Sequence, residues 1–388
     1  MPRKNRSAKS MEDDNSVIYW WPDSVFSEVQ WKKDPGSIPL ELKKLGYRVT
    51  LVVGKFASKV KHNEIDVIET YSGRRAKPTF NLFERLMGIK VVLELAYRSR
   101  PKSIIIEQSP REILLFLFLL RLRIIIRPLP KLIMMFDVDP ERMNASNKRP
   151  TDVFYRFLFT VLSDSIFTQT ECNLTELTTP KLISKYKYKY SVIPLGFRPE
   201  DVQNEHHTGG KRYPRILAVG QISQIKGHDL LISIFAKIVN KFPNWELRII
   251  GLSNDNNYME SLTKGIRDLG LYNSVRIFTD LSDDDLDREY EEASIFCLLS
   301  RNESFGIARV EAIYHGLPIV ITEAGCGSQF KKFGSYVCKI DDQDCIIEAL
   351  EMLIKDENLR KEVSERQMRA IMTWHEVALE LSKYLGTR

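Results

Sequence analysis

Glu303 and Glu311, the ends of Glu-Ser-Phe-Gly-Ile-Ala-Arg-Val-Glu, are the side chains of this sequence whose spacing most clearly suggests chemistry. The run before them, Ser294-Ile-Phe-Cys-Leu-Leu-Ser300, has the pattern of a buried strand. The run after them, Ala312-Ile-Tyr-His-Gly-Leu-Pro-Ile-Val-Ile-Thr322, reads as helix end, turn and next strand. Glu303 therefore belongs to the loop at the carboxyl end of a strand, and Glu311 to the second turn of the following helix. In an open α/β sheet, ligands bind at that end of the strands. Free N–H groups around Phe305, Gly306 and Ile307 would open the helix, and with its dipole they suit a diphosphate. Two carboxylates beside such a site hold phosphate badly, but they accept hydrogen bonds from sugar hydroxyls well.

A second cluster lies upstream. Gly220-Gln-Ile-Ser-Gln-Ile-Lys-Gly227 follows a strand-like stretch and opens a helix. Gly220 allows a tight turn close to a ligand, and Lys226 supplies a point charge for phosphate. His228 and His315 stand beside the two clusters and read as helix-packing residues rather than acid–base groups. Asp283-Asp-Asp285 opens a further helix and reads as N-capping.

The elements that must position these residues follow one grammar. Strands are expected at Arg215–Val219, Trp245–Ile250, Ser274–Phe278, Ser294–Leu299, Pro318–Thr322 and Tyr336–Ile340, with an amphipathic helix over Asp229–Asn240. Strands separated by helices of this length pair in parallel through right-handed crossovers. The first half repeats the pattern less cleanly. Val17–Trp21, Arg48–Val53, Ser103–Ile106, Lys131–Phe136 and Ser165–Thr168 read as strands, Pro39–Leu45 and Asn81–Tyr97 as helices. Two doubly wound α/β domains would then face each other across a cleft.

The Glu303-x7-Glu311 pair, the His315-Gly-Leu-Pro-Ile-Val320 run and Thr322-Glu-Ala-Gly-Cys-Gly327 resemble the signature of retaining, nucleotide-sugar-dependent glycosyltransferases of the GT-B class, group 1 (family 4). Three further stretches match. Arg215 to His228 resembles the family's first strand and phosphate loop, Ser191-Val-Ile-Pro-Leu-Gly-Phe197 its crossing between domains, and Met372 to Leu381 its closing helix. The match is strong from about Ser163 onward and loose before it, and its motifs do not specify a substrate.

The resemblance implies a GT-B architecture of two Rossmann-like domains. Residues 16–197 would form the acceptor side and 198–373 the nucleotide-sugar side, with a helix over 374–388 returning to the first domain. It implies Glu303 and Lys226 as the catalytic pair, and Glu311 on the ribose hydroxyls. Gly220, Gln221 and main chain from Ser304 through Phe305 and Gly306 to Ile307 would hold the phosphates, and main chain near Leu281 the base. Relatives usually carry Arg where this chain has Gln221, which would leave Lys226 to neutralise the diphosphate largely alone.

On the acceptor side, Asp34-Pro-Gly-Ser37 loosely matches a glycine loop, so Gly36 and Ser37 would face the donor phosphates. Asp137-Val-Asp139 would face the cleft. Asp137 reads either as an acceptor contact or, with Asp139, as the Asp-x-Asp metal pair of another glycosyltransferase class. The expectation is no metal and no cofactor beyond the nucleotide sugar.

Charge is unevenly placed. Residues 1–200 carry 34 basic and 22 acidic side chains, net +12, and the remaining 188 carry 23 and 29, net −6. A basic N-terminal half suits an anionic lipid surface or a phosphate-bearing acceptor. Nucleic acid is not expected, because aromatic residues are not interleaved with the basic ones outside Lys185–Tyr190. Ile113 to Ile126 is apolar but for Arg121 and Arg123, and too short to span a bilayer, which takes about 20 residues. It reads as a buried crossover helix or as a patch lying on lipid, flanked by Arg111 and Arg127.

Residues 1–15 are expected to be a disordered basic tail with no apolar signal-peptide core behind it. Five scattered cysteines show neither a disulfide framework nor a zinc spacing. Together these features suggest a cytoplasmic, peripheral enzyme transferring sugar to a lipid-linked or other saccharide acceptor. A soluble-acceptor transferase or epimerase of the same fold, and a non-catalytic nucleotide-binding relative, remain alternatives.

Overall fold

The computed structural model describes residues 15–31, 33–57, 65–71, 82–107, 112–121, 129–136, 145–197, 212–303 and 305–385. Its first sheet has seven parallel strands: β1 (Ser16–Phe26), β2 (Arg48–Phe56), β3 (Asp66–Glu69), β4 (Ser103–Glu107), β5 (Lys131–Phe136), β6 (Ser165–Thr168) and β7 (Tyr190–Val192), in the order β3-β2-β1-β4-β5-β6-β7. The helices of this half are α1 (Glu28–Trp31), α2 (Asp34–Lys44), α3 (Leu82–Ser99), α4 (Ile113–Arg121), α5 (Pro150–Leu162), α6 (Glu171–Thr178) and α7 (Lys181–Ser184). Strands such as β4 are buried on both faces, which explains their unbroken apolar runs.

After a two-residue strand β8 (Gly196–Phe197) comes a second parallel sheet: β9 (Arg215–Val219), β10 (Glu246–Ile250), β11 (Val275–Phe278), β12 (Ile295–Leu298), β13 (Ile319–Thr322) and β14 (Tyr336–Cys338), in the order β11-β10-β9-β12-β13-β14. Its helices are α8 (His228–Val239), α9 (Asn256–Asp268), α10 (Asp283–Glu292), α11 (Ile307–Tyr314), α12 (Gln343–Lys355) and α13 (Glu357–Met368). In both sheets the strand order reverses beside the first strand. That switch point opens a crevice at the carboxyl ends of the strands.

The chain crosses between the sheets twice, and the crossings pair with each other. β8 runs parallel to β15 (Met372–Thr373), and a Cβ on Gly196 would sit 2.7 Å from the Trp374 nitrogen, so only glycine fits. The final helix α14 (Trp374–Ser382) is started by a capping box between Thr373 and Glu376. It lays Trp374, Val377, Ala378 and Leu381 into the core formed by Val17, Tyr19, Leu51 and Phe167 of the first sheet. His375 adds a 3.1 Å contact to Glu41 of α2. Leu381→Ala should therefore destabilise the N-terminal half by about 2–5 kcal/mol. Urea denaturation checks this, and an unchanged midpoint would remove α14 from that core.

Four expectations need correction. Asp34-Pro-Gly-Ser37 is the first turn of α2 rather than a loop, because Pro35 at a helix's opening positions costs no hydrogen bond. Gly36 is there for packing, since a Cβ would lie 2.5 Å from the Gln30 carbonyl oxygen, and the buried Ser37 hydroxyl donates to the Trp31 carbonyl at 3.0 Å. Both residues are buried. The cap of α10 is Ser282, whose side chain accepts from the Asp285 N–H; Asp283 to Asp285 occupy the first turn. Cys338 and Cys345 form a disulfide, because the turn from β14 into α12 brings their Cα atoms to 6.0 Å.

The fourth correction concerns α4. Ile113, Phe116, Leu117 and Leu120 are buried, while Leu115 and Phe118 are 47% and 53% exposed. Arg121 is held internally, donating to the Leu162 carbonyl and pairing with Asp164 at 2.8 Å, so it does not join an outward basic patch. Arg111, Arg123 and Arg127 lie outside the described residues, as do residues 1–14. No described helix is long and apolar enough to cross a membrane.

Candidate active site

Glu303 and Lys226 meet at the carboxyl ends of β12 and β9. Lys226 Nζ lies 2.5 Å from Glu303 Oε2, and the Ser300 hydroxyl reaches the same oxygen at 3.4 Å. The lysine comes from a single 3-10 turn, Gln224–Lys226, ended by Gly227. Gly227 has φ +69°, and a Cβ there would lie 2.0 Å from the Leu299 carbonyl oxygen. The glycine thus lets this loop press against the end of β12, and the close approach brings the lysine onto the glutamate. Gly220 lies beneath the Lys226 stem, and Gln221 is exposed with its carbonyl turned to His228.

The other wall of Glu303 is the loop after β13. Gly325, at φ +60°, lies so close that a Cβ would come within 1.6 Å of the Glu303 carbonyl oxygen. Past Glu303, Phe305 is buried against Phe330, and Gly306, at φ +84°, caps α11. Ile307 opens that helix with its side chain 40% exposed. Ser304 and Asp137 lie outside the described residues.

Glu311 sits one turn on, facing a cleft of ≈ 360 Å³ between the two halves. Ile307, Tyr290, Asp287 and His315 line it from the second half, Lys33 and Asp34 from the first. The Tyr290 hydroxyl donates to Glu311 at 3.0 Å, and burial, then the Glu311 charge, raise that phenol well above its ordinary range. Leu281 packs half-buried against the core beneath. Glu303 and Lys226 do not line this cleft. The opening turn of α11 stands between the two carboxylates.

Both histidines pack. His315 stacks on Tyr290 with ring centroids 4.9 Å apart. His228 is fully buried, with Nε2 donating to the Gln221 carbonyl at 3.3 Å and Nδ1 without a partner among the described residues. Burial pushes its imidazole down to about 4, so it is neutral at pH 7. The unfolded chain takes up this proton near pH 6.5 and the folded one only near 4. The stability is therefore whole above 6.5 and is lost as pH falls toward 4, by up to about 3 kcal/mol. His228→Gln should flatten the urea midpoint between pH 5 and 7.5. The same slope in both proteins would contradict the assignment.

Sequence reasoning missed Tyr290, Asp287, Lys33 and Arg309. Only Arg309 left a trace, as a charged residue in the apolar phase of α11 with Ala312 and Ile313. The two halves also touch directly: Thr170 and Asn173 of the α6 start meet Cys326 at 3.0 and 3.8 Å.

Two facing parallel sheets joined by a paired crossover, with the site on the second, define the GT-B class. Residues 198–369 match the family described as glycosyl transferases group 1. An uncharacterized glycosyltransferase of Haemophilus influenzae is 25% identical over 226 residues, covering 58% of this chain and 61% of that protein's length. Among solved structures, WaaG, a glycosyltransferase involved in lipopolysaccharide biosynthesis, superposes with a TM-score of 0.65 at 13% identity, covering 96% of this chain and all of the other. Anabaena HepE in complex with UDP and glucose gives 0.63 at 15% identity, covering 95% and 99%. At such identities these structures speak for the fold.

Proposed function

We propose that this protein is a retaining, metal-independent glycosyltransferase that moves a sugar from a nucleoside diphosphate to an amphiphilic, lipid-linked acceptor at an anionic membrane surface. The observation that carries the donor half is the Lys226–Glu303 pair beside the N-terminus of α11, with Glu311 one turn on. A diphosphate entering here would draw Lys226 and take the free N–H groups of the helix start. Glu311 would accept from ribose hydroxyls and Glu303 from the sugar. HepE has been seen with UDP and glucose, which fits a uridine nucleotide among the donors to test.

In this reaction the acceptor hydroxyl attacks the anomeric carbon on the face the diphosphate leaves. The leaving phosphate oxygen takes the hydroxyl's proton, so no protein base is required. The protein contributes positioning and stabilises charge on the leaving group. Because these contacts neutralise the diphosphate, chelating divalent ions should leave transfer unchanged. Activity lost to chelator and restored by Mg or Mn would instead make Asp137 and Asp139 a metal pair.

The membrane half rests on neighbouring helices of the basic N-terminal half. Leu82 and Phe83 of α3, Leu115 and Phe118 of α4 and Phe154 of α5 are each about half exposed or more. Exposed apolar side chains on adjoining helices suit the interfacial zone of a bilayer. WaaG is a glycosyltransferase involved in lipopolysaccharide biosynthesis, which is consistent with an amphiphilic acceptor. Sedimentation with anionic liposomes tests it. Phe83→Ser/Phe118→Ser should reduce recovery several-fold, and recovery equal to wild type would favour a soluble acceptor.

A further inference from the structure

Arg309 is a fully buried cation with no hydrogen-bond partner among the described residues: its side chain is 0% exposed, and neither Nε nor either terminal nitrogen is bonded. Burial pushes the guanidinium down to about 10, with Glu303 and then Cys326 pulling it back up, so it stays charged at neutral pH. Leaving a buried charge unanswered is among the most destabilising choices a fold can make.

Its surroundings are cut to hold it there. From the first turn of α11 the side chain folds back to the helix's own cap. A Cβ on Gly306 would come within 2.7 Å of its Cδ, and one on Gly327 within 3.3 Å of Nη1. The Phe330 ring covers the guanidinium carbon at 5.8 Å. Of the charges around it, Glu303 acts on it most strongly.

The nearby cations are already committed. Arg301 is forked onto Asp229 at 2.8 and 2.6 Å, and Lys226 is bound to Glu303. A diphosphate can take Lys226 only by stripping Glu303, 8% exposed, of its counter-ion.

We propose that Arg309 is the reserve counter-ion of Glu303, a positioning residue that takes over the carboxylate when a diphosphate draws Lys226 away. This rests on the donor reading above. With the empty site, Lys226 balances Glu303 and Arg309 waits unpaired. With the site filled, Lys226 turns to phosphate and Arg309 holds Glu303 ionised and oriented toward the sugar. The exchange moves hydrogen bonds only; no covalent bond changes.

The test is calorimetric titration of inorganic pyrophosphate into wild type, Arg309→Met, Glu303→Gln and the double variant, with Tm recorded for each. Arg309→Met should raise Tm, because it removes an unpaired buried charge. It should weaken pyrophosphate at least tenfold in the Glu303 protein, but less than threefold in the Glu303→Gln background, where no carboxylate needs a substitute. Arg309→Lys should retain part of the affinity. Equal losses in both backgrounds would make Arg309 a direct phosphate ligand and overturn the exchange. A lowered Tm with unchanged affinity would make it structural and overturn it too. Failure of wild type to bind pyrophosphate defeats the donor reading, and this inference with it.

Discussion

Glu303→Ala is expected to lower kcat for sugar transfer by about 10²–10³-fold while leaving nucleoside diphosphate binding intact or stronger. The reason lies in the ion pair. Lys226 spends its charge on Glu303 in the empty site, and removing the carboxylate frees the lysine for phosphate while deleting the group that would orient the sugar. Glu311→Ala should act the other way. It removes an acceptor on the cleft wall, so nucleotide affinity should fall about tenfold, in line with about 1.5 kcal/mol or more for a hydrogen bond to a charged group. Steady-state kinetics beside direct nucleotide titration separates the two. Equal effects of both variants on nucleotide affinity would dissolve the division of roles.

Gly325→Ala should be nearly as damaging, although it removes no atom that could touch a ligand. Its left-handed backbone disfavours any side chain by about 1–2 kcal/mol. The new Cβ would lie 1.6 Å from the Glu303 carbonyl oxygen, so the loop or Glu303 must move. A shift of about 1 Å at a reacting group can cost about 10²-fold in rate. Transfer should drop accordingly in a protein whose circular dichroism is native. A folded variant with wild-type kcat would show that the loop after β13 does not set Glu303.

Much of the second half was legible because β9, β10, β12 and β13 are short, largely apolar runs separated by helices of 8 to 13 residues. Such strands need only local pattern to be found. Glu303, Lys226 and Gly306 were legible for the same reason, since each sits at a strand end or helix start. What escaped depends on tertiary approach. Arg121 finds Asp164 across 43 residues of chain, and nothing local announces that pair. Gly36 looked like part of a phosphate-facing loop because Asp34-Pro-Gly-Ser37 loosely matches a family glycine loop, yet Pro35 is at home opening α2. Arg309 lay in plain view inside the Glu-x7-Glu run. Its meaning appears only when Gly327 and Phe330, from beyond β13, close over it.

If the strand ends around Lys226, Glu303 and Glu311 form a nucleotide-sugar site, the purified protein must bind a donor there. Calorimetric titration of wild type with a panel of nucleotide sugars, in chelator, tests it most directly. The expected result is saturable binding of at least one donor, weakened at least tenfold by Lys226→Ala and by Glu311→Ala, with no requirement for added metal. No binding by any nucleotide sugar, or binding that both variants leave unchanged, would contradict it.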